Sequence, residues 1–238
     1  MRDEVKVTVN VWRLAAGAIF GLVVCLINPP ASQSVATNLI ERPEPVQEQT
    51  ELPKPFAKAA GIKLTPPTKK IVKYTYHESM FRPAVQLRPQ GRPQLIGNSN
   101  FRTPNKTPGP RYIVLPSRGR GTGAATASDI VLRRNSPVTS PVDGTVVDVT
   151  DYRLYCAKAD TRVIVRPRER PDLRVVIFHV DRVKLQRGDQ VRAGETKLGR
   201  VRFFANSRAQ YDDFVQGDHP HVHIEVQRGR VFPLPGCR

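Results

Sequence analysis

The sequence predicts a mostly β fold for the C-terminal half of the chain. Beyond Arg120, short β-branched runs are separated by turn signals, such as Asp143-Gly144 before residues 145–149. Residues 221–226 alternate polar and apolar side chains, which is typical of a half-buried strand. No stretch in this half shows the 3.6-residue periodicity of an ordinary helix. We therefore expect a mostly antiparallel β domain with a longer loop at residues 202–220.

Proline is concentrated before this domain. Fifteen of the 22 prolines lie between Pro29 and Pro116. Because proline lacks the backbone donor and fixes φ, such a stretch makes poor helices and central strands. The sequence thus predicts a basic, largely disordered linker over residues 29–110 and a folded domain over residues 111–238. His77 falls in this stretch and is expected to be a solvated linker histidine.

Residues 1–28 are expected to form a signal peptide or a membrane anchor. The uncharged run LAAGAIFGLVVCLI at residues 14–27 follows Arg2, Lys6 and Arg13. Its length suits the apolar part of a signal peptide and is short for a membrane span, so a cleaved signal and a retained anchor both fit. In either case the rest of the chain is expected to be extracytoplasmic, either secreted or anchored to the membrane.

Export places the cysteines in an oxidising setting. Cys156 and Cys237 then fit either a disulfide that ties the C-terminus to the domain or two free thiols.

The net charge of +17 predicts attraction to polyanions. Nucleic acid, anionic lipid and acidic wall polymers are the candidate classes. The sequence has no aromatic RNA-binding signature, no zinc-finger spacing and no recognition helix, which argues against nucleic acid as the partner.

The most informative motif is the H-x-H of residues 221–223. In a strand the side chains of His221 and His223 point to the same face, about 7 Å apart. Two imidazoles on one face can converge on a metal ion, and imidazole is a natural zinc donor. The alternative is a pair of solvated histidines.

Two glycine-centred segments extend this motif. SPVTSPVDGTVV at residues 136–147 and VKLQRGDQVRAGETKLG at residues 183–199 resemble the half-barrel motif shared by lipoyl carriers, membrane-fusion adaptors and LytM-type peptidases. With IFHV at residues 177–180 and HPHVHIEV at residues 219–226, the chain is similar to the LytM/lysostaphin-type zinc endopeptidases over residues 128–226. The resemblance implies a LytM-like antiparallel β-sheet core, the duplicated hybrid motif.

The resemblance also implies site roles. Asp129 and His223 match the family's metal ligands, with zinc as the metal. His221 matches the catalytic histidine that assists the attacking water, and His179 matches the histidine that stabilises the developing oxyanion. The implied substrate is a peptide of peptidoglycan.

One family ligand is missing. The family has a histidine four residues before the aspartate, and here that position is Ala125. A methyl group donates no electron pair, and two ligands alone should hold zinc weakly, so the zinc site is expected to be incomplete.

The leading expectation is therefore a degenerate metallopeptidase domain, a pseudoenzyme that binds peptidoglycan or anionic wall polymers or regulates a wall hydrolase. The alternative is an active zinc endopeptidase that uses His219 or an unrecognised ligand. A further alternative is an efflux-type adaptor, although residues 149–182 lack the heptads of its coiled-coil hairpin.

Overall fold

Strands and their connections dominate the molecule, which confirms the predicted mostly β class. The computed structural model describes residues 54–82, 84–105, 107–231, 233 and 234. In chain order the strands are β1 (Ala57–Ala59), β2 (Ile62–Leu64), β3 (Ile71–His77), β4 (Arg88–Pro89), β5 (Arg92–Ile96), β6 (Arg111–Val114), β7 (Ala127–Leu132), β8 (Pro137–Thr139), β9 (Gly144–Leu154), β10 (Lys158–Pro167), β11 (Leu173–Phe178), β12 (Val180–Asp181), β13 (Gln190–Val191), β14 (Lys197–Val201) and β15 (His221–Arg228). A short 3-10 helix at Gln210–Asp213 interrupts the predicted 202–220 loop.

The largest sheet has nine strands in the order β13-β9-β10-β11-β15-β7-β3-β6-β5. Its pairs are antiparallel except for the parallel pairs β3–β6 and β5–β6. Two three-stranded sheets, β2-β1-β4 and β12-β14-β8, complete the strands. The pair β7–β15, which carries the predicted metal ligands, lies inside the large sheet rather than at its edge.

In β15, apolar and polar side chains alternate as predicted, so that one face of the strand enters the core and the other carries the histidines. Val222, Ile224 and Val226 are fully buried and belong to the main hydrophobic core. His221 and His223 are only partly buried and lie on the opposite face of the sheet. We call this opposite face of β3, β7 and β15 the site face.

The predicted linker differs from the structure over much of its length. Strands β1 to β5 lie within residues 57–96, and Phe56, Leu64 and Tyr76 in this stretch are fully buried in the main core. The folded domain therefore begins well before residue 111. Residues 29–53 of the predicted linker lie outside the described residues.

The prolines of this stretch are placed where a missing N–H costs little. Pro93 lies in β5, which pairs with β6 alone because it is the edge strand of the large sheet. Pro67 retains its carbonyl, which accepts hydrogen bonds from the backbone N–H of Thr139 at 2.7 Å and from its hydroxyl at 2.9 Å. Proline content alone therefore overestimated disorder, because edge strands and connections tolerate proline.

The export segment predicted at residues 1–28 lies outside the described residues. Within the part of the chain that is described, no helix has the length and apolar character needed to cross a membrane. Cys156 is disulfide-bonded. Cys237, its predicted partner, also lies outside the described residues, so this pairing stays a prediction.

Candidate metal centre and catalytic site

Strand register brings the site residues together. Strand β7 lies between β15 and β3. Its residue Asp129 pairs with His223 of β15 and with Thr75 of β3. His77 pairs with Ala127, two residues before the aspartate. Because alternate residues of a strand share a face, His77, Asp129 and His223 all lie on the site face.

These three side chains form a compact cluster. The Nε2 atom of His77 is 3.1 Å from Oδ1 of Asp129, and Nδ1 of His223 is 2.9 Å from the same oxygen. One donor atom from each residue lies within 4.8 Å of the others. Two imidazole nitrogens and a carboxylate oxygen at this spacing are a donor set that suits zinc.

The expectation that His77 is a solvated linker histidine is wrong. Its side chain is buried at the end of β3, and its Nδ1 donates a hydrogen bond to the carbonyl of Glu78 at 2.9 Å. That bond occupies the Nδ1 proton, so Nε2 is the ring atom that faces Asp129. Among the described residues this buried Nε2 has no hydrogen-bond partner, a placement that suits a metal ligand.

The ring of His223 is held between two carboxylates. Its Nε2 lies 3.5 Å from Oε2 of Glu225, a fully buried group that also accepts a hydrogen bond from the Ser79 hydroxyl at 2.5 Å. Burial lowers the pKa of His223, but the hydrogen bonds to Asp129 and Glu225 outweigh burial and raise that pKa to about 9. With Nε2–H directed at Glu225, Nδ1 is the atom left to face the cluster.

Asp129 is ionised despite its burial. Burial opposes the charged form, but the neighbouring His77 and the hydrogen bond from His223 outweigh it and hold the pKa of this carboxyl well below its usual range. A charged carboxylate is the form that ligates a metal ion.

His221 lies beside the cluster. Its Nε2 is 3.7 Å from Oδ1 of Asp129, and its Nδ1 is 3.0 Å from the hydroxyl of Tyr211. That hydroxyl donates its proton to the carbonyl of His219 at 2.7 Å and therefore accepts from Nδ1–H of His221. Nε2 consequently carries the lone pair. Burial, the largest effect, lowers the pKa of His221 to about 3, so the ring is neutral.

His179 reaches the same site from the end of β11. Its ring centroid is 4.7 Å from that of His221, and its Nδ1 is 2.7 Å from Oδ2 of Asp160. The four site residues taken from the sequence, Asp129, His179, His221 and His223, thus all line one cavity of about 280 Å³. His77 lines the same cavity.

Two other candidates lie apart from the cluster. His219 lines the cavity, but within the described part of the chain it is not among the grouped metal donors. Ala125 is fully buried in the main core and offers no ligand atom.

Sequence reasoning missed His77, Tyr211 and Asp160. For His77 a signal existed, because it ends the proline-free run IVKYTYH, in which apolar and polar residues alternate in part. Tyr211 and Asp160 carried no local signal, since each meets its histidine through tertiary contact.

The His/Asp/His cluster and the two further histidines are the kind of donor set that a metallopeptidase-like site uses. Residues 124–233 match the family model described as peptidase family M23. Over these residues the chain is similar to the M23 peptidases, which confirms the LytM-like resemblance. His77 lies outside the matched residues.

Several solved structures are similar to the domain. Lysostaphin is 17% identical over 46% of this chain and 39% of its own, with a TM-score of 0.34. A zinc-containing peptidase from Vibrio cholerae is 22% identical over 45% of this chain and 29% of its own, with a TM-score of 0.31. A mutant catalytic domain of the prophage-encoded M23 protein EnpA from Enterococcus faecalis is 17% identical over 65% of this chain and 88% of its own, with a TM-score of 0.33.

The chain spans less than half the length of the first two of these structures. No curated protein matches the chain.

Proposed function

We propose that the chain is an active zinc metallopeptidase that cleaves peptide bonds of peptidoglycan outside the cytoplasm. The observation that carries this proposal is His77, whose buried Nε2 faces Asp129 at 3.1 Å. It supplies an imidazole where the family pattern has lost one at Ala125. The degenerate function expected from the sequence depended on that loss.

The donor set supports a catalytic rather than a structural metal. His77 Nε2, the Asp129 carboxylate and His223 Nδ1 are three protein ligands, and catalytic zinc sites have three protein ligands with one position left open. Glu225 and the Glu78 carbonyl hold the outer nitrogens of the two histidines, as outer-shell partners of zinc ligands do. A zinc ion bound there supplies Lewis-acid polarisation of a carbonyl and a lowered pKa of water.

The remaining side chains are placed for proton transfer and charge stabilisation. Nε2 of His221 is free to accept the proton of an attacking water, while Tyr211 holds the ring. His179 lies beside it and is proposed to stabilise the developing oxyanion, in which case both of its nitrogens carry protons. Peptidoglycan as the substrate class is proposed from the match of residues 124–233 to the M23 family, and the net charge of +17 favours an anionic wall.

The test is hydrolysis of purified peptidoglycan by the full chain. We expect new free amino groups to appear, because peptide cleavage releases an amine, and we expect no new reducing sugar ends. A zinc chelator should stop the release and added zinc should restore it.

Walls with direct cross-links and walls with peptide-bridged cross-links should both be tried, because the bond recognised is not fixed by the zinc ligands. Failure to release amino groups from either wall would contradict the proposed activity. Release of reducing ends alone would replace it with glycan cleavage.

A further inference from the structure

A second polar network lies next to the metal-centre residues. Asp160 of β10 has a fully buried side chain, and its Oδ2 meets Nδ1 of His179 at 2.7 Å and the hydroxyl of Tyr152 at 2.5 Å. Its Oδ1 is 3.4 Å from Nε of Arg202. Burying a carboxylate costs several kcal/mol unless its charge is balanced, and these partners balance it.

Arg202 is itself fixed in place. Its backbone N–H donates to the carbonyl of His179 at 2.8 Å, and its guanidinium lies 3.0 Å from Oδ1 of Asp181. Burial raises the pKa of Tyr152, and the nearby Asp160 raises it further, so the tyrosine is a neutral donor to the carboxylate. The groups that face Asp160 are therefore a hydroxyl, an imidazole and a guanidinium.

The backbone turns His179 towards this network. Phe178 pairs with His223, and a continuing strand would send the next side chain to the opposite face. Instead His179 adopts a φ of 66°, between the end of β11 and the start of β12. Such a left-handed conformation costs about 1 to 3 kcal/mol for a residue other than glycine and persists where its surroundings enforce it. The ring thereby comes within 4.7 Å of His221.

We propose that Asp160 is a positioning residue for His179, and that Tyr152 and Arg202 hold Asp160 for this purpose. The inference rests on the proposed function, because it gives His179 a part in the reaction. Asp160 retains the proton on Nδ1, so Nε2 is the ring atom that faces the substrate. The carboxylate also balances the positive charge of the ring whenever Nε2 carries a proton.

The first test is kinetic. Asp160→Asn keeps the shape of the side chain but removes its charge, and we expect kcat to fall about 100-fold or more while KM and zinc content stay unchanged. In a His179→Ala background the same substitution should change kcat less than about twofold, because the two residues act as a unit. Equal losses in both backgrounds would show that Asp160 acts independently of His179 and would overturn the proposal.

Tyr152→Phe is the matched control. It removes one neutral hydrogen bond to Asp160 but leaves the carboxylate and its contact with His179, so kcat should fall less than about tenfold. No loss at all would show that Tyr152 does not hold Asp160, and a loss as large as that of Asp160→Asn would contradict the larger part given to the carboxylate charge.

The second test does not depend on activity. In the metal-free full chain with ¹⁵N-labelled histidine, NMR should detect a proton on Nδ1 of His179, shifted far downfield by the carboxylate. An unprotonated Nδ1 would overturn the positioning proposal even in an active enzyme. A protonated Nδ1 in a protein without peptidase activity would support the positioning contact and contradict the proposed function.

Discussion

His77→Ala should weaken zinc binding by the protein. The substitution takes away the Nε2 donor that faces Asp129 and leaves two ligands in place of three. If the apparent binding free energy of a protein zinc site, about 10 to 16 kcal/mol, is shared among four ligands, each supplies about 3 kcal/mol. We therefore expect zinc affinity to fall about 100-fold.

Competition with a chelator measures this affinity, and elemental analysis after dialysis should give about one zinc per chain for the unsubstituted protein. His219→Ala is the matched control, because it removes a histidine that lines the same cavity but stands apart from the grouped donors. An unchanged zinc affinity in His77→Ala, or a fall of similar size in His219→Ala, would contradict the assignment of the third ligand.

Substitution of the two histidines of β15 should separate catalysis from metal binding. His221→Ala should keep zinc but lower kcat/KM by about 100- to 10,000-fold, because it removes the proposed proton acceptor. His223→Ala should lose both zinc and activity, since its Nδ1 faces Asp129 at 2.9 Å. Zinc content and amine release are measured on the same preparations.

Tyr211→Phe provides a milder comparison for His221. It keeps the aromatic packing and removes the hydroxyl that accepts from Nδ1 of His221. The expected loss is about tenfold, the value of one neutral hydrogen bond. If His221→Ala loses zinc, or retains more than about a tenth of the activity, the proposed division of roles is wrong.

Local patterns in the sequence predict the strands of the C-terminal half of the fold. The alternation in β15 predicts which side chains enter the core, and it places His221 and His223 on one face without knowledge of the partner strands. The turn residues Asp143-Gly144 likewise mark the start of β9. Such features could be read because each is set by neighbours a few residues apart in the chain.

The third donor could not be located in this way. His77 meets Asp129 only through the pairing of β3 with β7. The chain between these two strands contains the later prolines of the proline-rich stretch. Composition records how many prolines occur but not whether they fall on an edge strand or in a connection. Asp160 was missed for a related reason, because its contact joins β10 to the end of β11 and accompanies the left-handed conformation of His179.

The position of His77 also bears on how the site is built. Its strand precedes residues 124–233, which match the M23 family, yet β3 pairs directly with β7 of that region. The proposed metal centre thus depends on a segment that composition assigns to a linker. Removal of residues before 111 would take away both a central strand and a proposed ligand.

Zinc anomalous diffraction from crystals of the full chain grown with zinc tests this account most directly. We predict a single anomalous peak about 2.0 to 2.2 Å from Nε2 of His77, from a carboxylate oxygen of Asp129 and from Nδ1 of His223. A peak at the Asp129 and His223 side chains with His77 turned away, or no peak in this cavity, would contradict the proposed metal centre.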